Sequence, residues 1–246
     1  MGCGSGCKDK DIADKKFQDL SGWKGASLEE LLNRLQGYPG VEVRIYTVAS
    51  TRMEKNSNDI LHLGSGPNLE GGLATLCTCK HSMRQSRTPE EWRGLWVLGL
   101  TSRAKNNGFS SEHYLFYLMR VENAFGTHKE LYEYLESKYS KALKIKNAVN
   151  NPLGDIFEPK TNCTNSLDPM MYKFPHTNHS HGNDMGDQWF ENDISYNGKS
   201  CPLLLGDIDN TFVWQQPTIK IALNRGAGSK KMYIGDDFFS LLASVK

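Results

Sequence analysis

The chain contains no apolar stretch close to the ~20 residues that a helix needs to cross a bilayer, and it does not open on the basic, apolar, small-residue succession of a secretory signal. No membrane contact is expected, and the cytoplasm is the expected compartment. A charge excess is also missing: 29 Lys and Arg against 28 Asp and Glu leave a net +1. That excludes a strong basic field, so any nucleic-acid contact has to come from a local patch or from a partner. No second paired-cysteine knuckle accompanies Cys77 and Cys79, whose single-residue spacing is shorter than a structural zinc site usually has. Gly64-Ser65-Gly66-Pro67 lacks the lysine of a phosphate-binding loop. No internal repeat is visible.

A length of 246 residues suits one domain with extensions, or one domain plus a small subdomain, and 38% hydrophobic residues, with 10 Phe, 10 Tyr and 5 Trp, are ample for a core. The six cysteines (3, 7, 77, 79, 163 and 201) are then expected to be reduced thiols, because such a core needs no disulfide staples. The sequons at Asn162 and Asn178 become chance matches. Met1-Gly2-Cys3-Gly4-Ser5-Gly6-Cys7 is close to an acylation signal but has Gly6 where Ser or Thr is wanted, and Cys3 and Cys7 also offer themselves to a metal. The main reading of residues 1–26 is a tail, Gly-rich and then charged.

Order begins at Ser27-Leu28-Glu29-Glu30, a capping box, followed by Leu28, Leu31, Leu32 and Leu35 on one helical face and Gly37 as a stop. Val41 to Val48 alternates as a half-buried strand should. Residues 50–72 form a polar stretch long enough for a functional or mobile loop. Strands are expected near 41–49, 95–101, 114–122 and 212–223. A second capping box, Thr127 with Glu130, opens a helix whose inner face is Leu131, Tyr134, Leu135 and Tyr139. The pattern dissolves over 147–202, and a short helix near Asp236-Asp237 closes the chain, its acids suited to the positive end of the helix dipole. Strands with few helices and long loops make the class α+β, a compact and partly closed β-structure. The division is a 1–40 extension (flexible tail plus one helix) and a 41–246 domain.

Chemistry concentrates between Cys77 and Arg84, where two thiols stand among Lys80, His81 and Arg84. Nearby cations stabilise a thiolate, the nucleophilic form; a small buried cysteine near surface charges is the competing reading. Extended backbone would put both thiols on one face, and His81 with Cys163 or Cys201 would complete a zinc set. His176, His179 and His181, followed by Asp184 and Asp187, offer a second metal cluster or a solvated loop. Arg120 and Glu122 alternate within an apolar strand, which places charges at a pocket or its rim. Asp155, between Gly154 and Ile156-Phe157, is either a turn acid or a carboxylate held at a pocket.

Taken in order, Thr75-Leu76-Cys77-Thr78-Cys79-Lys80 with Met83-Arg84, Trp96-Val97-Leu98-Gly99, Tyr117-Leu118-Met119-Arg120-Val121 and Gly154-Asp155-Ile156-Phe157 resemble the nucleotide modification associated domain, type 2. Gly235-Asp236-Asp237-Phe238-Phe239 is similar to its aromatic end, and the resemblance spans about residues 41–242. The chain departs from the pattern in having His81 in place of a proline and no asparagine after Asp155. The resemblance implies a PUA-like partly open β-barrel with flanking helices, and work on modified bases in DNA, alone or with protein partners of a modification system.

On that basis a flipped-out base would be held by stacking and edge hydrogen bonds, with Trp96, Tyr117 and Trp189 as candidate platforms. Cys79 is the expected nucleophile and Asp155 or Glu122 the proton carrier. Lys80, Arg84 and Arg120 complete the substrate contacts, and all but the platforms are expected to converge on one cleft. Hydration of a nitrile on a 7-deazaguanine base is one concrete reaction for such a thiol. A non-catalytic reader of modified bases, using Cys79, Arg84 and Asp155 only to bind, is the alternative, and a partner subunit in a modification complex is a further one. No cofactor and no resident metal are expected.

Overall fold

The computed structural model describes residues 17–149, 151, 153–173, 188–223 and 229–243. The readings placed on Cys3, Cys7, His176, His179, His181, Asp184 and Asp187 lie outside the described residues, as does the side chain of Trp189.

Local chemistry places the helices. Ser27 and Glu30 make both halves of the capping box at the start of α1 (Leu28–Leu35), which buries Leu31 and Leu35. Each such cap stabilises a helix by about 1 kcal/mol. A second complete box, Thr88 with Glu91 around a Pro at the first turn, starts the short α3 (Pro89–Trp92), which follows α2 (His81–Arg84). Thr127 caps α4 (His128–Lys138) through the Glu130 N–H, while the Glu130 carboxylate accepts from the Gly126 N–H. The remaining helices are α5 (Ser140–Lys146), α6 (Gln188–Ile194) and α7 (Asp236–Ala243), with Asp236 and Asp237 in the first turn of the last.

The described residues hold nine strands, in chain order β1 (Glu42–Val48), β2 (Thr51–Met53), β3 (Ile60–His62), β4 (Thr75–Leu76), β5 (Trp96–Thr101), β6 (His113–Phe125), β7 (Leu203–Val213), β8 (Lys220–Ile221) and β9 (Lys230–Tyr233). Seven of them form a mixed sheet in the order β4-β7-β6-β5-β1-β9, with β8 on β6, and β2 pairs with β3 alone. Among the strands of the described residues, only β1 and β5 pair in parallel. The sheet curls into a half-barrel, and the class is α+β.

Both faces of the sheet are covered. Tyr46, Val48, Val97, Tyr117, Met119 and Val121 face a core that includes Trp23, Met83 and Trp92. Val43, Ile45, Trp96, Leu98 and Leu118 face another, closed by Leu31 and Leu35 of α1 and Phe238 and Leu242 of α7. A third cluster joins Leu73, Cys77, Leu203 and Leu205 to Leu131, Leu135 and Leu143 of α4 and α5. β1 is therefore buried on both faces rather than half-buried, because the first core covers Tyr46 and Val48 and the second covers Val43 and Ile45. Gly99 of β5 makes room for the Tyr117 ring: a methyl there would lie 2.2 Å from a Tyr117 ring carbon.

Three expectations need correction. Residues 17–26 are not all tail: Leu20 and Trp23 enter the first core, and the Trp23 indole donates to the Leu69 carbonyl at 2.5 Å. Two isolated apolar residues have no period to reveal them. The strand expected at 212–223 is two pieces: Phe212 and Val213 end the longer β7, whose apolar ends are split by a polar excursion, and Lys220–Ile221 is the separate β8 on β6. Residues 207–210 bulge between the pairs Val121↔Gly206 and Met119↔Thr211, and the Asp207 carboxylate accepts from the Asp209 and Asn210 N–H groups. The polar stretch 50–72 holds the β2–β3 hairpin and then a buried run, with Ser65, Asn68 and Glu70 all inside.

Candidate functional site

Cys79 lies where the chain leaves β4. After Leu76 the backbone bends, Lys80 takes a left-handed conformation (φ 59°), and α2 begins at His81. The bend separates the two thiols. Cys77 is fully buried in the cluster under α4 and α5, whereas Cys79 is only partly buried and packs against the first core. The same-face arrangement required extended backbone, and the chain is not extended here. Burial and the nearby Asp155 carboxylate push the Cys77 thiol pKa well above its ordinary value, so it is held as a protonated packing group.

Around Cys79 stand groups from distant parts of the chain. Gly66 is so close that a methyl on it would be 3.0 Å from the sulfur. Beside it, the Ser65 and Thr78 hydroxyls are 3.2 Å apart. The Tyr46 and Tyr117 hydroxyls are hydrogen-bonded at 2.8 Å, and negative charge at Cys79 acts on both. Burial, with that charge, raises both phenol pKa values, so each keeps its proton. One hydrogen bond between two phenols uses one proton; the other O–H is left to donate toward developing negative charge. The Lys80 ammonium lies 5.1 Å from the Tyr46 ring centroid, within cation–π range.

Arg84 fixes the bend. Its side chain is completely buried and donates to four carbonyls: Cys79 (2.7 Å), Cys77 (2.7 Å), Pro202 (2.6 Å) and Cys201 (3.2 Å). A planar guanidinium with five N–H donors can serve several acceptors in one plane. All four of these hydrogen bonds go to backbone, so Arg84 positions the thiol-bearing turn rather than offering itself to a substrate.

Behind the bend lies a buried polar network. Thr75 Oγ1 donates to Asp155 Oδ2 at 2.6 Å, and the Cys77 thiol also bonds this carboxylate. The Lys146 ammonium, fully buried, donates to the Asn68 carbonyl (2.8 Å), the Asn68 side-chain oxygen (2.7 Å) and Thr75 Oγ1 (3.0 Å). Burial raises the Asp155 pKa to about 6 against the pull of Lys146, and lowers that of Lys146 to about 8. Gly154 makes the approach possible: a methyl there would sit 2.5 Å from Ala148 Cα and 2.8 Å from the Lys146 carbonyl oxygen. The glycine before the aspartate is required by close backbone contact at the end of α5. Asp155 thus anchors the end of β4 through Thr75 and Cys77.

The expected convergence of six polar residues divides. Cys79, Lys80 and Arg84 share the bend, with Asp155 behind it. Arg120 lies on the other face of the sheet, 5.3 Å from the ring of Tyr38, which packs on Trp96, and 3.6 Å from Asp207. Glu122 is exposed, with Asp207 and Lys138 as its charged neighbours, and partial burial raises its pKa. Alternation explains the separation: Tyr117, Met119 and Val121 take the Cys79 face, and Arg120 and Glu122, on the alternate positions, do not. Trp96 is fully buried in the opposite core and Tyr117 fully buried beneath Cys79, so neither ring is open for stacking. Cys163 and Cys201 are buried, and no group of three metal-ligating side chains occurs among the described residues.

Tyr46, Asn68 and Lys146 were not singled out in the sequence, and Thr75 was quoted there only as part of a motif, with no role. Lys146 carried a readable signal, since Ala142, Leu143 and Lys146 share the buried face of α5. No helix among the described residues is long and apolar enough to cross a membrane. Comparisons with models of known families, with curated proteins and with solved structures found no match to this chain.

Proposed function

We propose that this protein is a member of the nucleotide modification associated domain, type 2, with a PUA-like half-barrel, and that it acts in the cytoplasm on a modified base flipped out of DNA, using Cys79 as nucleophile. The single observation that carries this reading is the setting of Cys79. It is the partly exposed thiol at a bend whose backbone Arg84 holds from four carbonyls, with a protonated phenol pair and the Lys80 ammonium beside it. A held nucleophile with donors aimed at developing charge is what covalent catalysis needs.

The substrate class is a base carrying an electrophilic carbon, for instance the nitrile of a 7-deazaguanine. The thiol adds across the triple bond to give a thioimidate. Water then adds, the thiol leaves, and the amide remains. The test is mass spectrometry of nucleosides from modified DNA before and after incubation with the protein. Cys79→Ala is expected to abolish turnover while leaving DNA affinity within a few-fold, because a thiol contributes little to phosphate contacts. Cys77→Ala is expected to cost packing and the thiol's bond to Asp155, and to leave turnover in place. Full activity in Cys79→Ala refutes the nucleophile role.

One observation favours a second reading, a non-catalytic reader of modified bases. The carboxylates suggested as proton carriers stand elsewhere, Asp155 on Thr75 and Cys77 and Glu122 near Lys138. DNA binding that requires the modified base, with no change in it, would establish that reading.

A further inference from the structure

The strand register gathers cations on the face of β1 that carries Tyr46. Along β1, Glu42 and Arg44 alternate with Val43 and Ile45, which enter the second core, so they share a face with Tyr46 and Val48 of the first. β9 lies beside β1, and its antiparallel register sets Tyr233 against Glu42 and Lys231 against Arg44. Directly opposed residues point to one face, so Lys231 and Tyr233 extend the same row outward. Arg87, between α2 and α3, joins the row at Glu42.

Glu42, 4% exposed, is the carboxylate that all three cations share. It accepts from Arg44 Nε at 2.5 Å and from Arg87 Nη2 at 2.5 Å and Nε at 3.3 Å, with the Lys231 ammonium 3.6 Å away. These bonds use only part of each five-donor guanidinium. Glu91 also acts on Arg87, but its carboxylate caps α3 by accepting from the Thr88 N–H. One carboxylate cannot neutralise three cations, so the row keeps an excess of positive charge. Tyr233 is 52% exposed, with the Lys231 ammonium 5.1 Å from its ring centroid. A lysine on an edge strand can serve merely to block further pairing, and surface ion pairs contribute little to stability. Neither role accounts for a large exposed aromatic ring set beside three cations.

We propose that Arg44, Arg87, Lys231 and Tyr233 bind a single-stranded stretch of DNA beside the flipped-out base, the cations meeting phosphates and the Tyr233 ring stacking on a neighbouring base. This rests on the reading above that the protein handles DNA. Guanidinium and ammonium groups with an aromatic platform among them hold single strands without choosing a sequence. The row also leads to the site. Tyr46 stands two residues beyond Arg44, about 6.5 Å along the strand, and negative charge at Cys79 acts on it. A chain whose net charge is only +1 requires such a local patch if it is to hold a phosphate backbone.

The test is fluorescence anisotropy of a short fluorescein-labelled single-stranded oligonucleotide, titrated with the protein between about 50 and 200 mM salt. The variants are Lys231→Gln and Tyr233→Leu, both at exposed positions, with Lys220→Gln on β8 as the control cation and circular dichroism as the check of fold. Lys231→Gln is expected to make the slope of log affinity against log salt shallower by about 0.7, the value of one phosphate contact on a single strand. Tyr233→Leu is expected to weaken binding about fivefold or more with the slope unchanged, because stacking carries no counterion release. Binding of heparin, a polyanion without bases, is expected to weaken in Lys231→Gln and to stay as it is in Tyr233→Leu. An unmoved slope in Lys231→Gln, an unmoved affinity in Tyr233→Leu, or no binding by the wild type overturns the proposal. An equal loss in Lys220→Gln shows diffuse charge attraction and overturns it too. If a base in DNA is converted while the row variants bind as the wild type does, the row falls and the nucleobase reading survives. If the row variants respond as expected but no base is altered, the row stands and the chemistry at Cys79 falls.

Discussion

Replacing Arg84 separates a positioning role from a substrate-binding one. The side chain is completely buried and makes four hydrogen bonds of 2.6–3.2 Å to backbone carbonyls on both sides of the bend. A hydrogen bond to a charged group contributes about 1.5–3 kcal/mol net, and a buried carbonyl left without a partner costs about 1–3 kcal/mol. Taking about 1 kcal/mol per bond, as a floor that allows for relaxation and water entry, Arg84→Met costs about 4 kcal/mol. That is a large share of the roughly 5–15 kcal/mol that stabilises a typical domain. With a urea dependence of about 3 kcal/mol per molar, the unfolding midpoint falls by about 1.3 M. Arg84→Lys keeps the charge but has one nitrogen, which cannot span carbonyls of residues 77, 79, 201 and 202, so it is expected to lose at least half as much. Urea unfolding followed by tryptophan fluorescence gives both values. If Arg84→Lys unfolds within about 0.3 M of the wild type, worth about 1 kcal/mol, the clamp reasoning is wrong. Unchanged stability with lost DNA affinity would return Arg84 to the substrate contacts.

Gly154→Ala is expected to destabilise the fold by about 2 kcal/mol or more, because the new methyl meets backbone atoms of Ala148 and Lys146 at 2.5–2.8 Å that cannot step aside. At this chain length that is a fall of roughly 4–8 °C in melting temperature, and an unchanged melting temperature would contradict the close approach. Asp155 is held in the fold with its pKa raised from 3.8 to about 6. Its contribution to stability is complete below pH 4 and is lost as the pH rises through 6, since the native state binds the proton more tightly than the unfolded chain. The raised value is worth about 3 kcal/mol at most. The difference in stability between Asp155→Asn and the wild type should therefore change across pH 4–6 and stay flat above 7, as read by urea unfolding at a series of pH values; a difference flat across the whole range contradicts the burial argument.

Sequence alone determined the features that are local or periodic. Ser27 with Glu30 and Thr127 with the Glu130 N–H start helices where expected, because a cap is a contact across three residues. The apolar runs at 95–101 and 114–122 became β5 and β6, since continuous Val, Leu and aromatic side chains have nowhere to go but a covered sheet. The cluster of thiols and cations after Thr75 marked the bend that carries Cys79.

Tertiary structure decided which of these residues meet. Arg120 and Glu122 carried the same signal as Lys80 and Arg84, charge set in an apolar context. The alternation of β6 nevertheless placed Arg120 on the far face and Glu122 in solvent. Cys77 and Cys79 differ by two positions, and a bend with one left-handed residue sent the first into the core and left the second partly exposed. His81 found Asp193 only because the chain returns past α2 more than a hundred residues later. Lys146 and Asp155 are tolerable in the interior only together with Asn68 and Thr75, and no window of sequence contains all four. Propensity and period act within a few residues, whereas the pairing of buried charges is settled by the packing of the whole chain, and that packing built the site.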